Sequence, residues 1–228
     1  MKINKLHPRS IYKKIRERQQ AATSSSKELK YKGHIAEKYL KERAHRQDWH
    51  EEQLIFGFLM SKLEDGISVA DIPFGTGRFL PIYLAKKFSV LGVDISEEMI
   101  QFSKVYNAPD FVGFETCLCD ATKLSLDTES VDLVVSYRFL GYILTVERAK
   151  QAISEFVRVA RSNLILQLQF LKDDSPAGAK DKLGHRETWS QQQEFLEGLG
   201  LKILERIDLP TKEAYCNTVV FAEKVLSR

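Results

Sequence analysis

Short apolar runs rich in β-branched residues alternate along this chain with longer segments in which apolar residues recur every three to four positions. The runs predict five strands, at residues 67–72, 89–93, 111–120, 130–136 and 164–170, and two closing strands at 201–209 and 213–224. The longer segments predict helices, for example at 146–160 and 188–200. Strands that alternate with helices indicate an α/β protein with a mostly parallel sheet.

The loop after the first predicted strand is the most specific feature of the sequence. It contains Gly75 and Gly77, which let the backbone approach a ligand closely because they lack a Cβ atom. The second strand ends at Asp94, 17 residues after Gly77, near the spacing at which a carboxylate accepts hydrogen bonds from ribose hydroxyls. Ser96 is the expected N-cap of the helix that follows. Together these features are typical of a nucleotide-binding unit.

This arrangement resembles the class I S-adenosylmethionine-dependent methyltransferases, in particular their small-molecule, quinone-biosynthesis-like branch. The family has an acid and three glycines at alternate positions, which here read Asp71-x-Pro73-x-Gly75-x-Gly77, with proline in place of the first glycine. The resemblance implies a Rossmann-like seven-stranded, mostly parallel sheet with helices on both faces, an antiparallel last strand and an N-terminal helical extension. It also implies S-adenosyl-L-methionine as cofactor and S-adenosyl-L-homocysteine as product.

The resemblance further assigns cofactor contacts to the glycine loop and to the ends of the strands. Asp94 is expected to hold the ribose, Asp120 to accept from the adenine amine, and the Ala121 N–H to face a ring nitrogen. The expected cofactor-binding residues are Asp71, Pro73, Phe74, Gly75, Thr76, Gly77, Asp94, Ile95, Met99, Asp120, Ala121, Ser136 and Tyr137.

The acceptor is expected to lie near the segments that follow the fourth and fifth strands. Tyr137, Arg138 and Tyr142 are the predicted substrate-facing residues, and aromatics with one arginine favour an apolar, aromatic or anionic acceptor. His185 is the candidate general base because histidine titrates near neutrality, whereas a carboxylate acceptor would need no base. The Pro-Pro motif of enzymes that methylate base amines or glutamine is absent. Asn163 is expected to supply a left-handed residue in the turn before the fifth strand.

The N-terminal region differs from the rest in charge. Residues 1–30 carry nine Lys and Arg against two acids, a net charge of +7, while the whole chain carries +3. Three interpretations of this arm stay open: a helix docked on the catalytic body, a basic segment on an anionic membrane surface, or an RNA-contacting arm. Residues 31–65 are expected to form two lid helices, the second with an apolar face that includes Leu54, Ile55, Phe58, Leu59 and Leu63.

Cysteine usage and hydropathy give an expectation for the cellular compartment of the protein. Three cysteines do not make a disulfide framework, and they lack the partners of a metal site, so no metal is expected. No apolar run reaches the length of a membrane span, and the N-terminus lacks a signal-peptide core. The cytoplasm is therefore the expected compartment, with peripheral contact to the inner face of a membrane left open.

The function predicted from these patterns is methyl transfer. We expect residues 31–228 to form one methyltransferase domain that methylates oxygen or nitrogen of a small-molecule or lipid-like acceptor, as a monomer or homodimer. RNA or protein methylation is the first alternative, and a non-catalytic methyltransferase-like binding module is the second.

Overall fold

The apolar runs form strands in the computed structural model, which describes residues 47–107, 114–171, 180–181, 184–185, 187–209 and 215–225. The strands are β1 (Ser68–Asp71), β2 (Ser89–Asp94), β3 (Phe114–Leu118), β4 (Val131–Ser136), β5 (Ala160–Leu171), β6 (Lys180–Asp181), β7 (Gly184–His185), β8 (Leu201–Leu209) and β9 (Tyr215–Lys224). The helices are α1 (Gln47–Met60), α2 (Leu80–Ala85), α3 (Glu97–Asn107), α4 (Val146–Val159) and α5 (Trp189–Gly198).

Seven of the strands make one sheet in the order β3-β2-β1-β4-β5-β9-β8, and β6 pairs with β7 in a small hairpin. Strands β1 to β5 run parallel, whereas β9 lies antiparallel between β5 and β8. The predicted fold class, a Rossmann-like sheet with an antiparallel last strand, is confirmed. The chain order reverses between β1 and β4, and open α/β sheets bind ligands outside the carboxyl ends of their strands at such a switch point.

The central strands are buried on both sides because an apolar core covers each face of the sheet. Successive residues of β4 point to opposite faces. Val134 packs in the core with Phe156 of α4, while Leu133 packs in the core with Phe56 of α1. The two cores fix α1 and α2 against one face and α4 and α5 against the other.

The helix α1 is packed by a different face from the one predicted. Leu54 is 75% exposed and Phe58 is 51% exposed, so the predicted apolar face is wrong at these positions. Leu59 of the predicted face is buried, together with Glu52, Phe56 and Met60, which the prediction did not include. These residues are buried because they have partners on the sheet side of the helix. Phe56 stacks on Phe79 with ring centroids 4.0 Å apart, and Glu52 accepts a hydrogen bond from Arg78.

The predicted turn at Asn163 is also absent. The helix α4 passes directly into β5, and Asn163 is a strand residue that pairs with Leu133 and Glu223. The helix ends at Ala160, which is extended with φ −75° and ψ 135° while its N–H still donates to the carbonyl of Phe156. A left-handed residue is therefore not needed to end this helix.

Several predictions concern residues outside the described ranges. They are the basic arm of residues 1–30 with its boundary, the first of the two predicted lid helices, and most of the loop that follows β5. Within the ranges that the structure does describe, no helix is both long enough and apolar enough to cross a membrane.

The close contact between Gly92 of β2 and the glycine loop gives a stability prediction. A Cβ atom at Gly92 would lie 2.5 Å from Cγ of Phe74, a buried residue of that loop. We expect Gly92→Ala to lower the free energy of unfolding by about 1–3 kcal/mol, measured by urea denaturation, because overpacking forces the ring to move. The control is Gly57→Ala in α1, where a Cβ atom meets nothing within 4 Å and helix propensity predicts a gain of about 0.5–1 kcal/mol. Wild-type stability of the Gly92 variant would contradict the prediction.

Candidate active site

A cleft opens beside the carboxyl ends of β1, β2 and β4, with an empty volume of about 1170 Å³ that includes space open to solvent. Most residues predicted to bind a cofactor line it, namely Asp71, Pro73, Phe74, Gly75, Thr76, Asp94, Ile95, Met99, Asp120, Ala121 and Tyr137. The other two predicted residues, Gly77 and Ser136, are not among the lining residues. Gly77 shapes the turn with φ 71°, and Ser136 is fully buried at the end of β4. The structure thus brings together residues that lie far apart in the sequence.

The glycine loop is held against β2 through its backbone. The N–H of Phe74 donates to the carbonyl of Val93 at 2.7 Å, and the N–H of Gly75 donates to Oδ2 of Asp94 at 2.8 Å. Gly75 has φ 56° and Gly77 has φ 71°, a backbone region in which side chains with a Cβ atom are strained. Both glycines are therefore required by the turn itself.

Asp94 joins the loop to the helix that follows β2. It is 6% exposed, and its Oδ1 accepts from the N–H of Ser96 at 2.9 Å, while Oδ2 accepts from Gly75. Burial raises the pKa of this carboxyl, and the backbone hydrogen bonds oppose the rise. Ser96 caps α3 as predicted, since its Oγ accepts from the N–H of Met99 at 3.3 Å.

Asp120 stands on the other side of the cleft, just after β3. Its Oδ1 accepts from both the N–H and the hydroxyl of Thr122 at 2.8 Å, which fixes the turn. Its Oδ2 lies 3.2 Å from Nη2 of Arg148, a residue of α4 that also lines the cleft. The acid predicted to face adenine is therefore ion-paired in this structure.

Asp71 is the most buried acid of the cleft, at 4% exposure. Burial raises its pKa to about 8, although the positive charge of Arg78 and the Tyr83 hydroxyl oppose the rise. The carboxyl is therefore mostly protonated at pH 7.

Glu52 of α1 connects several segments that surround the cleft. It is 2% exposed, and its Oε2 accepts from Nη1 of Arg78 at 2.8 Å and from Nε of Arg138 at 2.9 Å. Its Oε1 accepts from Nε2 of Gln167 in β5 at 2.8 Å. One carboxylate thus ties the start of α2 and the loop after β4 to the sheet.

Arg138 has an unusual backbone at the ligand edge of the sheet. Its φ is 53°, in the left-handed region that residues with a Cβ atom rarely adopt. Its N–H donates to Oε1 of Gln167 at 2.8 Å, so the same glutamine holds both Arg138 and Glu52. The conformation is maintained by side chains from β5 and α1.

The predicted substrate-facing residues differ in whether they line the cleft. Tyr137 and Arg138 line the cleft, whereas Tyr142 lies outside its lining. Burial raises the pKa of both tyrosine hydroxyls, so they are protonated at neutral pH. The backbone of His185 pairs with Lys180 in the β6–β7 hairpin, and its side chain is outside what the structure describes.

Sequence reasoning missed Glu52, Arg78, Gln167 and Arg148. Arg78 directly follows the glycine loop, and Glu52 lies one helical turn before Phe56, where a charged residue on a buried face is a signal for an ion pair. Gln167 and Arg148 carry no comparable local signal.

Residues 70–166 match the family model of the methyltransferase domain, a range that includes the glycine loop, Asp94, Asp120 and Arg138. Residues 70–166 therefore form a methyltransferase domain. The match and the fold indicate a domain of the S-adenosylmethionine-dependent class, and S-adenosylmethionine is the cofactor of that class.

Solved methyltransferases share this fold. A SAM-dependent methyltransferase from Methanosarcina mazei is 21% identical with a TM-score of 0.60, over 75% of this chain and 98% of that one. Magnesium protoporphyrin IX methyltransferase from Synechocystis, solved with bound SAM, is 17% identical with a TM-score of 0.59, over 98% of this chain and 100% of that one. At these identities the likeness concerns the fold.

The curated relatives match this chain over a shorter range. The tRNA (carboxymethyluridine(34)-5-O)-methyltransferase ALKBH8 of Mus musculus and that of Macaca fascicularis are each 28% identical over 102 residues. The match covers 45% of this chain and 14% of each relative. The chain therefore spans a small part of the length of the curated relatives it matches.

The cleft fits S-adenosylmethionine by the chemistry of its residues. Each Asp94 oxygen accepts one backbone N–H and retains a further lone pair for a hydroxyl donor. Ile95, which is 51% exposed, and Met99 line the same wall and offer an apolar surface to a flat purine. A wall with acceptors beside apolar side chains suits an adenosyl group.

The buried position of Glu52 predicts a large stability effect. Glu52→Ala leaves two guanidinium groups without their shared carboxylate, so we expect a loss of about 3–5 kcal/mol in the free energy of unfolding, measured by urea denaturation. The control is Glu205→Ala, which removes the partner of Lys62 in an exposed ion pair and should cost less than about 1 kcal/mol. Similar losses in the two variants would contradict the importance of the Glu52 contacts.

The raised pKa of Asp71 predicts a pH dependence. The folded-state pKa of about 8 lies above the ordinary value of 3.8, so the stabilising contribution is complete below pH 3.8 and is lost as pH rises through 8. Between these limits Asp71 should lower the free energy of unfolding by at most about 1.4 kcal/mol per pH unit. Asp71→Asn should remove this slope from the cofactor-free protein, measured by urea denaturation between pH 5 and pH 8. Identical slopes in variant and wild type would rule out the shift.

Proposed function

We propose that this methyltransferase transfers a methyl group from S-adenosylmethionine to oxygen or nitrogen of a small-molecule acceptor, with residues 31–228 acting as one domain. The observation that carries the proposal is the convergence of the glycine loop, Asp94 and Asp120 on a single cleft. Asp94 binds the ribose hydroxyls, Asp120 and Ala121 bind the adenine, and the loop faces the methionine end.

Methyl transfer from a sulfonium requires the protein mainly to position the acceptor atom. The bound cofactor supplies a methyl group on a sulfonium that is already activated by its positive charge. The residues of the chain have to bring the acceptor atom to about 3–3.5 Å from that methyl group and exclude water. Phe79, Tyr137 and Phe139 supply an apolar wall at the end of the cleft near the glycine loop.

Small-molecule methylation is supported by some structural neighbours. One of them is a geranyl diphosphate methyltransferase, 10% identical with a TM-score of 0.63, over 77% of each chain. Its fold resembles that of this domain, and the acceptor for which it is named, geranyl diphosphate, is a small molecule. The same fold thus serves an enzyme that is named for a small-molecule acceptor, which supports the small-molecule proposal.

RNA methylation is the second candidate. The ALKBH8 relatives favour it, because the activity for which they are named is on a tRNA nucleoside. The net charge of +7 on residues 1–30 would suit a phosphate backbone. The contacts of this arm with RNA or an anionic membrane, the cytoplasmic location and the oligomeric state stay predictions.

Calorimetric titration with S-adenosylmethionine and S-adenosylhomocysteine tests the cofactor assignment. We expect Asp94→Ala to weaken binding of both by about 1.5–3 kcal/mol, the range for hydrogen bonds to a charged group. The matched control is Asp65→Ala, an exposed acid that pairs with Lys86 away from the cleft and should bind as wild type does. Unchanged affinity of the Asp94 variant would contradict the ribose contact, and absence of binding by the wild type would overturn the proposed function.

A further inference from the structure

Two arginines mark the end of the cleft that is opposite the adenine side. Arg78 and Arg138 both line the cleft, and their side chains are 11% and 10% exposed. Nη1 of Arg78 and Nε of Arg138 approach the same oxygen, Oε2 of Glu52, at 2.8 and 2.9 Å. The two guanidinium groups are thereby held side by side in the wall.

The backbone conformation of Arg138 is held by its contacts with other residues. Its left-handed backbone, with φ 53°, is strained for a residue with a Cβ atom, and such strain is concentrated at functional sites. Three contacts keep it in place, since Gln167 accepts from its N–H, Glu52 accepts from its Nε, and Gln167 donates to Glu52. The network fixes where the guanidinium stands relative to the glycine loop.

The surroundings of the arginines strengthen their attraction for an anion. Cζ of Arg78 lies 4.2 Å from the ring centroid of Phe79 and 5.5 Å from that of Tyr137. Aromatic rings exclude water, and charges interact more strongly where water is excluded. Guanidinium donors form a planar fork that matches the two oxygens of a carboxylate.

The described residues of the cleft wall favour an acceptor that is already deprotonated when it binds. The described lining of the cleft contains no histidine. Its acids are otherwise engaged, because Asp94 holds backbone N–H groups and Asp120 is paired with Arg148. Asp71 is buried and mostly protonated at pH 7. A carboxylate acceptor is already an anion and needs no general base.

We propose that the acceptor is a carboxylate, held by Arg138 and Arg78 while one of its oxygens takes the methyl group to give a methyl ester. A lone pair of that oxygen forms the new O–C bond as the C–S bond breaks, and the electron pair of the C–S bond stays on sulfur as a neutral thioether. The negative charge of the carboxylate and the positive charge of the sulfonium cancel, and no proton moves. This inference rests on the proposed methyltransferase function.

The test identifies the type of bond formed without knowing the acceptor. The full chain is incubated with tritium-methyl S-adenosylmethionine and, separately, a deproteinised small-molecule extract or bulk tRNA. Mild alkali then releases methyl esters as volatile tritiated methanol, whereas methyl ethers and N-methyl groups stay in place. We expect volatile label from one of the pools, and the pool distinguishes a free carboxylate from one on RNA. Absence of alkali-labile label from both pools would overturn the proposal.

A pair of arginine variants links that activity to the cleft. Arg138→Gln should lower alkali-labile transfer at least tenfold at low acceptor concentration while S-adenosylhomocysteine affinity stays within twofold. The matched control is Arg161→Gln, whose guanidinium pairs with Asp132 at the opposite end of β4 and should leave both readouts unchanged. If the glutamine variant is unfolded by circular dichroism, Arg138→Lys replaces it, since lysine keeps the charge but lacks the planar fork.

Two ligands distinguish an acceptor carboxylate from that of the cofactor. Methylthioadenosine keeps the adenosine and sulfur but lacks the amino-acid group of S-adenosylhomocysteine. If Arg138→Gln weakens binding of S-adenosylhomocysteine and not of methylthioadenosine, the arginines bind the cofactor's own carboxylate and the acceptor assignment is overturned. Failure of the wild type to bind S-adenosylhomocysteine would instead overturn the proposed function itself.

Discussion

The carboxylate of Glu52 is the contact on which the arginine side of the cleft depends. A carboxylate that is 2% exposed is tolerated only where partners replace its water. Those partners come from three segments: Arg78 in the loop just before α2, Arg138 after β4, and Gln167 in β5. A single side chain on α1, which precedes the matched methyltransferase range, therefore determines how parts of that range stand relative to one another.

The same helix supports the apolar part of the site. Phe56 lies one turn after Glu52 and stacks on Phe79, and Phe79 in turn meets the edge of Tyr137 with centroids 4.9 Å apart. These rings form the water-excluding wall beside the arginines. We therefore interpret α1 as a structural support behind the arginines and aromatic rings that line the cleft, because no residue of α1 is among the described lining residues.

Features that depend on residues close together in the chain could be predicted from the sequence, whereas contacts between distant residues could not. The strands, the glycine loop and the Ser96 cap depend on neighbours a few residues away, so their patterns are visible in the sequence. Glu52 bonds to residues 26, 86 and 115 positions later, and nothing local announces those partners. The Asn163 prediction failed for a different reason: a helix can end in an extended residue whose N–H still finds a carbonyl, so a left-handed residue is one solution among several.

The two ends of the cleft differ in how firmly their ion pairs are held. The side chains of Arg148 and Asp120 are 37% and 39% exposed, and exposed pairs contribute little to stability, so an adenine donor can share or replace this contact at low cost. The Glu52 pairs are nearly buried, and breaking them would leave charges without water or partner. On the proposed assignment, the Asp120 end can adapt to adenine, whereas the arginine end is preorganised for the proposed carboxylate acceptor.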